Sequence, residues 1–217
     1  MQTYCGGMVE TNGYLVMRGK AAFVVDAPEG MADWIEEHGR NFTGRWTGLF
    51  LTHGHWDHIV DAARIQKRFR MPVFIHRDSA PLLEDPSVQA AFNPFCRVDA
   101  CRPERVLERE IEIAEVDCRV RLFHCPGHCP GSLCFYFPED GILFGGDVLF
   151  AGGVGRWDLP GGSRETLFHG ITKNLLTLPD ETRIYPGHGP STTIGQERRT
   201  NLYLLDLKTG RSEKTLK

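Results

Sequence analysis

The stretch Thr52-His53-Gly54-His55-Trp56-Asp57-His58 follows the apolar run Leu49-Phe50-Leu51 and leads into a helical pattern. Four side chains able to hold a metal ion stand within six residues, on the loop between a buried strand and a helix. Such a concentration does not serve core packing. Residues that share a helix face are three or four apart. His53 and His55 are two apart, so they share a side only while the chain is still extended. Asp57 and His58 are adjacent at the helix start and point elsewhere. The spacing therefore predicts two ligand pairs serving two neighbouring metals.

Around this stretch the pattern is β–α–β. Residues 49–52 read as a short buried strand, and Asp57 to Phe69 as a helix with Ile59, Ala62, Ala63, Ile65 and Phe69 on one face. Val73-Phe74-Ile75 reads as the next strand. Upstream, residues 14–17 and 21–25 flank an Arg18-Gly19-Lys20 turn as a hairpin, and 30–39 forms a helix that stops at Gly39. Residues 84–104 have no clear period and suggest a packed loop or a lid over a site; the aromatics Phe92 and Phe95 within them suit either a dimer surface or a pocket lining. Strand patterns return at 111–116, 118–124, 132–137, 141–145 and 183–185. One closing helix is capped near Ser163 and runs to about Leu178. The other has the capping-box spacing Thr193-x-x-Gln196 and runs to about Lys208. Two runs of strands, each followed by helices, predict two packed sheets with helices outside, in a single domain over 1–217.

Three more positions follow apolar strands beside glycine: Pro126-Gly127-His128, Gly145-Gly146-Asp147 and Pro186-Gly187-His188. Glycine lets the backbone approach closely there and leaves each ligand at a strand end. The set is five His and two Asp with no thiolate, a mixture of N and O donors suited to Zn²⁺, Fe²⁺ or Mn²⁺.

Composition bounds the partners. Hydrophobic residues at 41% and charged residues at 24% fit a soluble globular chain. Twenty-eight acids against 25 bases leave a net charge of −3, which provides no electrostatic footprint for nucleic acid or an anionic membrane. No apolar run approaches the ~18–20 residues of a bilayer span. The amino terminus lacks the basic start and apolar core of a secretory signal. Seven cysteines at irregular spacing read as reduced thiols. A cytoplasmic protein with a small-molecule substrate is the expectation.

The H-x-H-x-D-H motif at 53–58, followed by single His128, Asp147 and His188, resembles the metallo-β-lactamase superfamily. More narrowly, Gly146-Asp147-Val148-Leu149-Phe150 running into 153–162 looks like the small glyoxalase II-like hydrolases. So does Pro186-Gly187-His188-Gly189-Pro190 leading to 192–197. The resemblance implies an α+β fold, the αββα four-layer sandwich, with two divalent metal ions at one edge. His53, His55 and His128 would hold one metal, and Asp57, His58 and His188 the other. Asp147 would bridge them. Zinc is the first choice, with iron and manganese also suited.

The implied activity is dinuclear metal-dependent hydrolysis of a hydroxyacyl-glutathione or related thioester. Two metals that share a water bring its pKa from 15.7 towards ~7. Asp57 would hold the resulting hydroxide by a hydrogen bond while also acting as a ligand. A thiolate leaves easily, because a cysteine-like thiol has a pKa of about 8.5. Arg156 stands where these enzymes place a basic residue against a glutathione carboxylate; its alternative role is to pair with Asp158 and fix the loop. The larger glyoxalase II enzymes add glutathione contacts from a C-terminal helical domain, and only a short stretch follows the last ligand here.

Two rival activities share the motif set. A persulfide dioxygenase would use one iron on His53, His128 and Asp147, but its loop pattern differs from residues 155–162. Lactone hydrolysis would use the same site. Secreted β-lactamases fit less well, given the amino terminus and the bridging Asp147. Among the other histidines, His124 reads as a supporting or core residue, His76 as bonded to nearby backbone, and His38 and His169 as surface residues. Cys125 and Cys129 flank His128 as small buried residues; the alternative is a thiol pair that oxidises beside the metal.

Overall fold

The computed structural model describes residues 1–93, 96–107 and 118–209. Phe95 and the strand expected over 111–116 lie outside these residues. The first sheet has the order β1 (Gln2–Gly6), β2 (Thr11–Arg18), β3 (Ala21–Val25), β4 (Arg45–Phe50), β5 (Val73–His76) and β6 (Arg105–Leu107). β2 and β3 form the expected antiparallel hairpin, and β3 to β6 run parallel. Crossing between parallel strands requires long connections, which α1 (Met31–Gly39), α2 (Trp56–Ile59), α3 (Ala62–Phe69) and α4 (Ala80–Glu84) occupy.

The second sheet uses β7 (Arg121–His124), β8 (Leu133–Phe137), β9 (Ile142–Gly146), β12 (Arg183–Pro186) and β13 (Thr192–Thr193), in the order β13-β12-β9-β8-β7. Between β9 and β12 lie the small hairpin β10 (Leu149–Phe150) and β11 (Gly153–Val154), then α5 (Arg164–Gly170) and a π-helical stretch, Ile171–Leu175. α6 (Ile194–Thr200) and α7 (Leu202–Thr209) follow β13.

Alternation along the strands decides the layering. In β3 and β4, Phe23, Val25 and Phe50 face one core while Val24 and Leu49 face another. In β8 and β9, Phe135, Phe137 and Phe144 join the first of these cores, whereas Cys134, Tyr136 and Leu143 turn to a third. The shared core is therefore an aromatic layer between the sheets, with Phe23 stacked on Phe137 and Phe50 on Phe74. The outer cores seat α1, α3 and α4 on one side, and α5 and α6 on the other. Burying both faces of each sheet is what makes four layers, and the αββα α+β expectation holds.

Several boundaries differ from expectation. The single helix expected over 57–69 is two, broken at Val60-Asp61. Asp61 is buried, takes the Ala27 carbonyl with its own N–H, and accepts the Ala32 N–H at 2.9 Å. Those tertiary bonds pull it out of helical geometry, at φ −94° and ψ 6°. The closing helix breaks likewise at Asn201, whose side chain reaches the Gly153 carbonyl and Glu197. The Ser163 cap and the Thr193–Gln196 cap both form. Within 84–104, a 3₁₀ turn at Pro86–Gln89 gives part of the expected loop regular structure.

Candidate metal centre

Every one of the seven donors leaves a strand end or the loop beyond it, along one edge of the sandwich. The chain leaves β4 into His53, His55, Asp57 and His58; β7 leads to His128, β9 to Asp147 and β12 to His188. Glycines make the approach possible. A Cβ on Gly187 would lie 2.1 Å from Asp147 Oδ1, and Gly146, at φ +49°, has no room beside Thr52.

The donor atoms form two groups. His53 Nε2 lies 3.1 Å from His55 Nδ1, which lies 2.8 Å from His128 Nε2. His58 Nε2 is 3.4 Å from Asp57 Oδ2, and His188 Nε2 is 3.3 Å from the same oxygen. Asp147 stands between the groups: Oδ1 is 3.3 Å from His58 Nε2, and Oδ2 is 3.5 Å from His128 Nε2 and 3.3 Å from His188 Nε2. The structure thus brings all seven expected residues together, as His53–His55–His128 and Asp57–His58–His188 with the carboxylate of Asp147 facing both.

The donor set fits a pair of divalent ions. His58 Nε2 and Asp147 Oδ1 are fully buried and have no hydrogen-bond partner, being close but not aligned. Buried polar atoms are rarely left so. A cation between them resolves the cost.

The far sides of the rings are fixed by residues that sequence reasoning passed over. Asp26 is buried at the end of β3, with its backbone at φ +59°. Its carboxylate takes His58 Nδ1 at 2.9 Å, and the Thr52 N–H and hydroxyl at 2.7 and 2.8 Å. The Thr52 oxygen in turn lies 3.1 Å from His53 Nδ1. With its proton given to Asp26, that oxygen accepts, so Nδ1 of His53 carries hydrogen and Nε2 is free to ligate. Thr11 donates to Asp57 Oδ2 at 2.7 Å. His128 Nδ1 meets the Arg156 carbonyl at 2.8 Å, and His188 Nδ1 the Val9 carbonyl at 3.1 Å. Asp26 obeys the same rule as the expected ligands, an acid directly after an apolar strand; Thr11 carries no such signal.

Protonation divides the two groups. Burial drives His53 well below its ordinary pKa, and burial beside His128 brings His55 down to about 4, so both are neutral donors. For His58, burial opposes charge, but Asp57, Asp147 and Asp26 outweigh it and raise the ring well above its ordinary value. His188 rises to about 10 against its own burial, through bonds to Asp147 and Asp57. Burial pushes Asp57 up, yet His58, His188 and the Thr11 hydroxyl hold it at about 2.

The centre opens into a cavity of about 570 Å³ that includes Arg156 among its lining. The Arg156 guanidinium makes two 2.7 Å bonds to Asp158, both side chains being about two-thirds exposed. Gln89 is buried beside the cavity and ties its wall to the ligand loop, accepting from Trp56 N at 3.0 Å and donating to the Gly54 carbonyl at 2.8 Å. It sits in the segment expected to be a packed loop or lid.

Elsewhere, His124 is exposed and bonds the Pro130 carbonyl at 2.8 Å, on the loop carrying His128. His76 accepts the Asp78 N–H. The donor atoms of His76, Asp78 and His124 also gather. The two rings stack at 4.1 Å and 16°, however, which aims their nitrogens side by side rather than at one point. His38 and His169 are exposed. None of the seven cysteines forms a disulfide; Cys125 and Cys129 are buried, with Cys125 Sγ accepting from Asn174 Nδ2 and Cys129 Sγ beside Ser79 Oγ, each at 3.5 Å. Among the described residues, no helix is long and apolar enough to cross a membrane.

The sequence profile described as the metallo-beta-lactamase superfamily matches residues 6–188. The hydroxyacylglutathione hydrolase GloC of Haemophilus influenzae is 37% identical over 187 residues, which is 85% of this chain and 88% of that protein. TTHA1623, solved in a di-iron-bound form, is 34% identical with a TM-score of 0.85, over 94% of this chain and 100% of that one. The B3 metallo-beta-lactamase BLEG-1 is 33% identical with a TM-score of 0.84, over 94% and 98%. With this fold and this gathering of His and Asp, the chain belongs to the metallo-beta-lactamase superfamily, as a metal-dependent hydrolase.

Proposed function

We propose that the protein is a dinuclear thioester hydrolase of the glyoxalase II kind, acting on an acyl-glutathione or related small-molecule thioester. The observation that carries this reading is the Asp147 carboxylate lying within 3.5 Å of nitrogen donors from both groups. His53, His55 and His128 would hold one ion, Asp57, His58 and His188 the other, with Asp147 shared. When bound, two such ions polarise a carbonyl and lower the pKa of a water towards ~7. Zinc heads the choices; the di-iron relative keeps iron among them, and manganese suits the same donors.

Asp57 is ionised at neutral pH, and its oxygens can accept a hydrogen bond from the attacking water and orient it. In the reaction a C–O bond forms, the C–S bond breaks, and an acid and a thiol are released. The leaving thiolate needs little protonation, which suits a cavity whose described titratable lining residues, Arg156 apart, are all candidate metal donors. Arg156 would meet a carboxylate of the thiol carrier. Its ion pair with Asp158 is solvent-exposed and weak enough to exchange. A single-iron dioxygenase is supported less, because it leaves Asp57, His58 and His188 without a role and His58 Nε2 without a partner.

The test is metal content and turnover together. Protein purified without added metal or chelator should carry close to two ions per chain and cleave S-lactoylglutathione or another acylthiol. The Asp147→Ala variant should lose metal and activity. A single iron per chain, with oxygen consumed on glutathione persulfide, would overturn the reading. So would cleavage of a β-lactam with no thioester turnover.

A further inference from the structure

Large apolar side chains are usually exposed singly and mean little; gathered around a cavity they mark what binds there. Of the seven exposed large hydrophobic residues among the described residues, three line this one cavity: Val9, Val88 and Phe92. Val88 is 58% and Phe92 51% exposed, although both belong to an ordered segment. The 3₁₀ turn Pro86–Gln89 carries Val88, and the Phe92 N–H bonds the Gln89 carbonyl at 2.9 Å. Gln89 itself is anchored to Gly54 and Trp56 in the metal-bearing loop. The apolar wall is thus held in fixed register with the donors. Leu82, Leu159 and Pro160 extend it.

Lysine and arginine are scarce by contrast. Among the described lining residues, Arg156 is the only Lys or Arg, and Asp158 already occupies the Nε–Nη2 edge of its guanidinium. A glutathione carrier brings carboxylates and belongs at Arg156. That leaves the wall of Val88 and Phe92 to the other half of the substrate. The cavity of about 570 Å³ is in the range that encloses a drug-sized ligand, so the acyl group and part of its carrier share it.

We infer that the acyl group of the substrate is an apolar chain of several carbons that packs along Val88 and Phe92, rather than a short hydroxylated one. The inference rests on the thioesterase reading. Burying one methylene along this wall raises transition-state binding by roughly 3–4-fold.

The experiment is a series of S-acylglutathiones from acetyl to octanoyl, with S-lactoylglutathione, on metal-replete enzyme. In parallel, calorimetry measures binding of uncleavable S-alkylglutathione thioethers. We expect kcat/KM and affinity both to climb roughly 3–4-fold per methylene until the wall is covered. The octanoyl thioester should exceed lactoyl by more than tenfold. Val88→Asp and Phe92→Ala should flatten both slopes. Turnover that is best for lactoyl and flat with chain length overturns the apolar-chain inference while the thioesterase stands. Affinity that climbs with chain length while no thioester is cleaved overturns the thioesterase and leaves apolar recognition in place.

Discussion

Asp26 shows how much one residue off the ligand set can decide. Its carboxylate fixes His58 directly and His53 through the Thr52 hydroxyl, so a single buried acid sets ring orientation in both donor groups. Partners of this kind are typically worth 10–100-fold in metal affinity. Asp26→Ala should therefore weaken binding by about that factor in competition with a chromophoric chelator, and Asp26→Asn by less. Unchanged affinity in both would remove Asp26 from the centre. The seven candidate donors, which the fold gathers at one edge, stand out in the sequence because metal-capable side chains beside glycine at strand ends are chemically conspicuous. Asp26 also follows an apolar strand, but it stands far from the others in the chain, and only the fold brings it under His58.

At the scale of the element, the sequence was read well wherever local physics dominates. The hairpin at 18–20, the caps at Ser163 and Thr193, and the alternation that buries both faces of β3 and β8 all depend on near neighbours. The breaks at Asp61 and Asn201 do not. Each polar side chain there is committed to backbone groups far along the chain, which helical periodicity cannot reveal. Asp61→Ala would leave the buried Ala32 N–H without its acceptor and should cost about 1–3 kcal/mol, read as a lower urea midpoint with metal content unchanged. A variant of wild-type stability would mean that the break has another cause.

Across the whole molecule, the donors tie one sheet to the other. His53 to His58 come from the first sheet, whereas His128, Asp147 and His188 come from the second. The start of β2 also clamps the last ligand loop, through Asn12 and Tyr14 bonds to the Pro186 carbonyl. Ions bound across that seam would stabilise the folded state by mass action, about 4 kcal/mol at a thousandfold excess over Kd. Chelation should lower Tm by several degrees, and an unchanged Tm would contradict binding at this edge. Protonation sets the pH dependence. The raised His188 contributes stability to the metal-free fold that is fully present below about 6.5 and is lost as pH rises through about 10. A metal must displace that proton and the one on His58. Affinity should rise from pH 6 to pH 8, with protons released in proportion, as seen by calorimetry in buffers of different ionisation enthalpy.

By itself the sequence determined the chemistry on offer: which side chains can hold metal, that they leave strand ends, and that strands buried on both faces require covering helices. These follow from residue type and period, which are local properties. Tertiary structure alone decided which supports stand behind each ring, where the helices break, and that Val88, Gln89 and Phe92 form a wall of the cavity. Those outcomes depend on contacts between residues tens to hundreds of positions apart, where no periodicity along the chain records the partner.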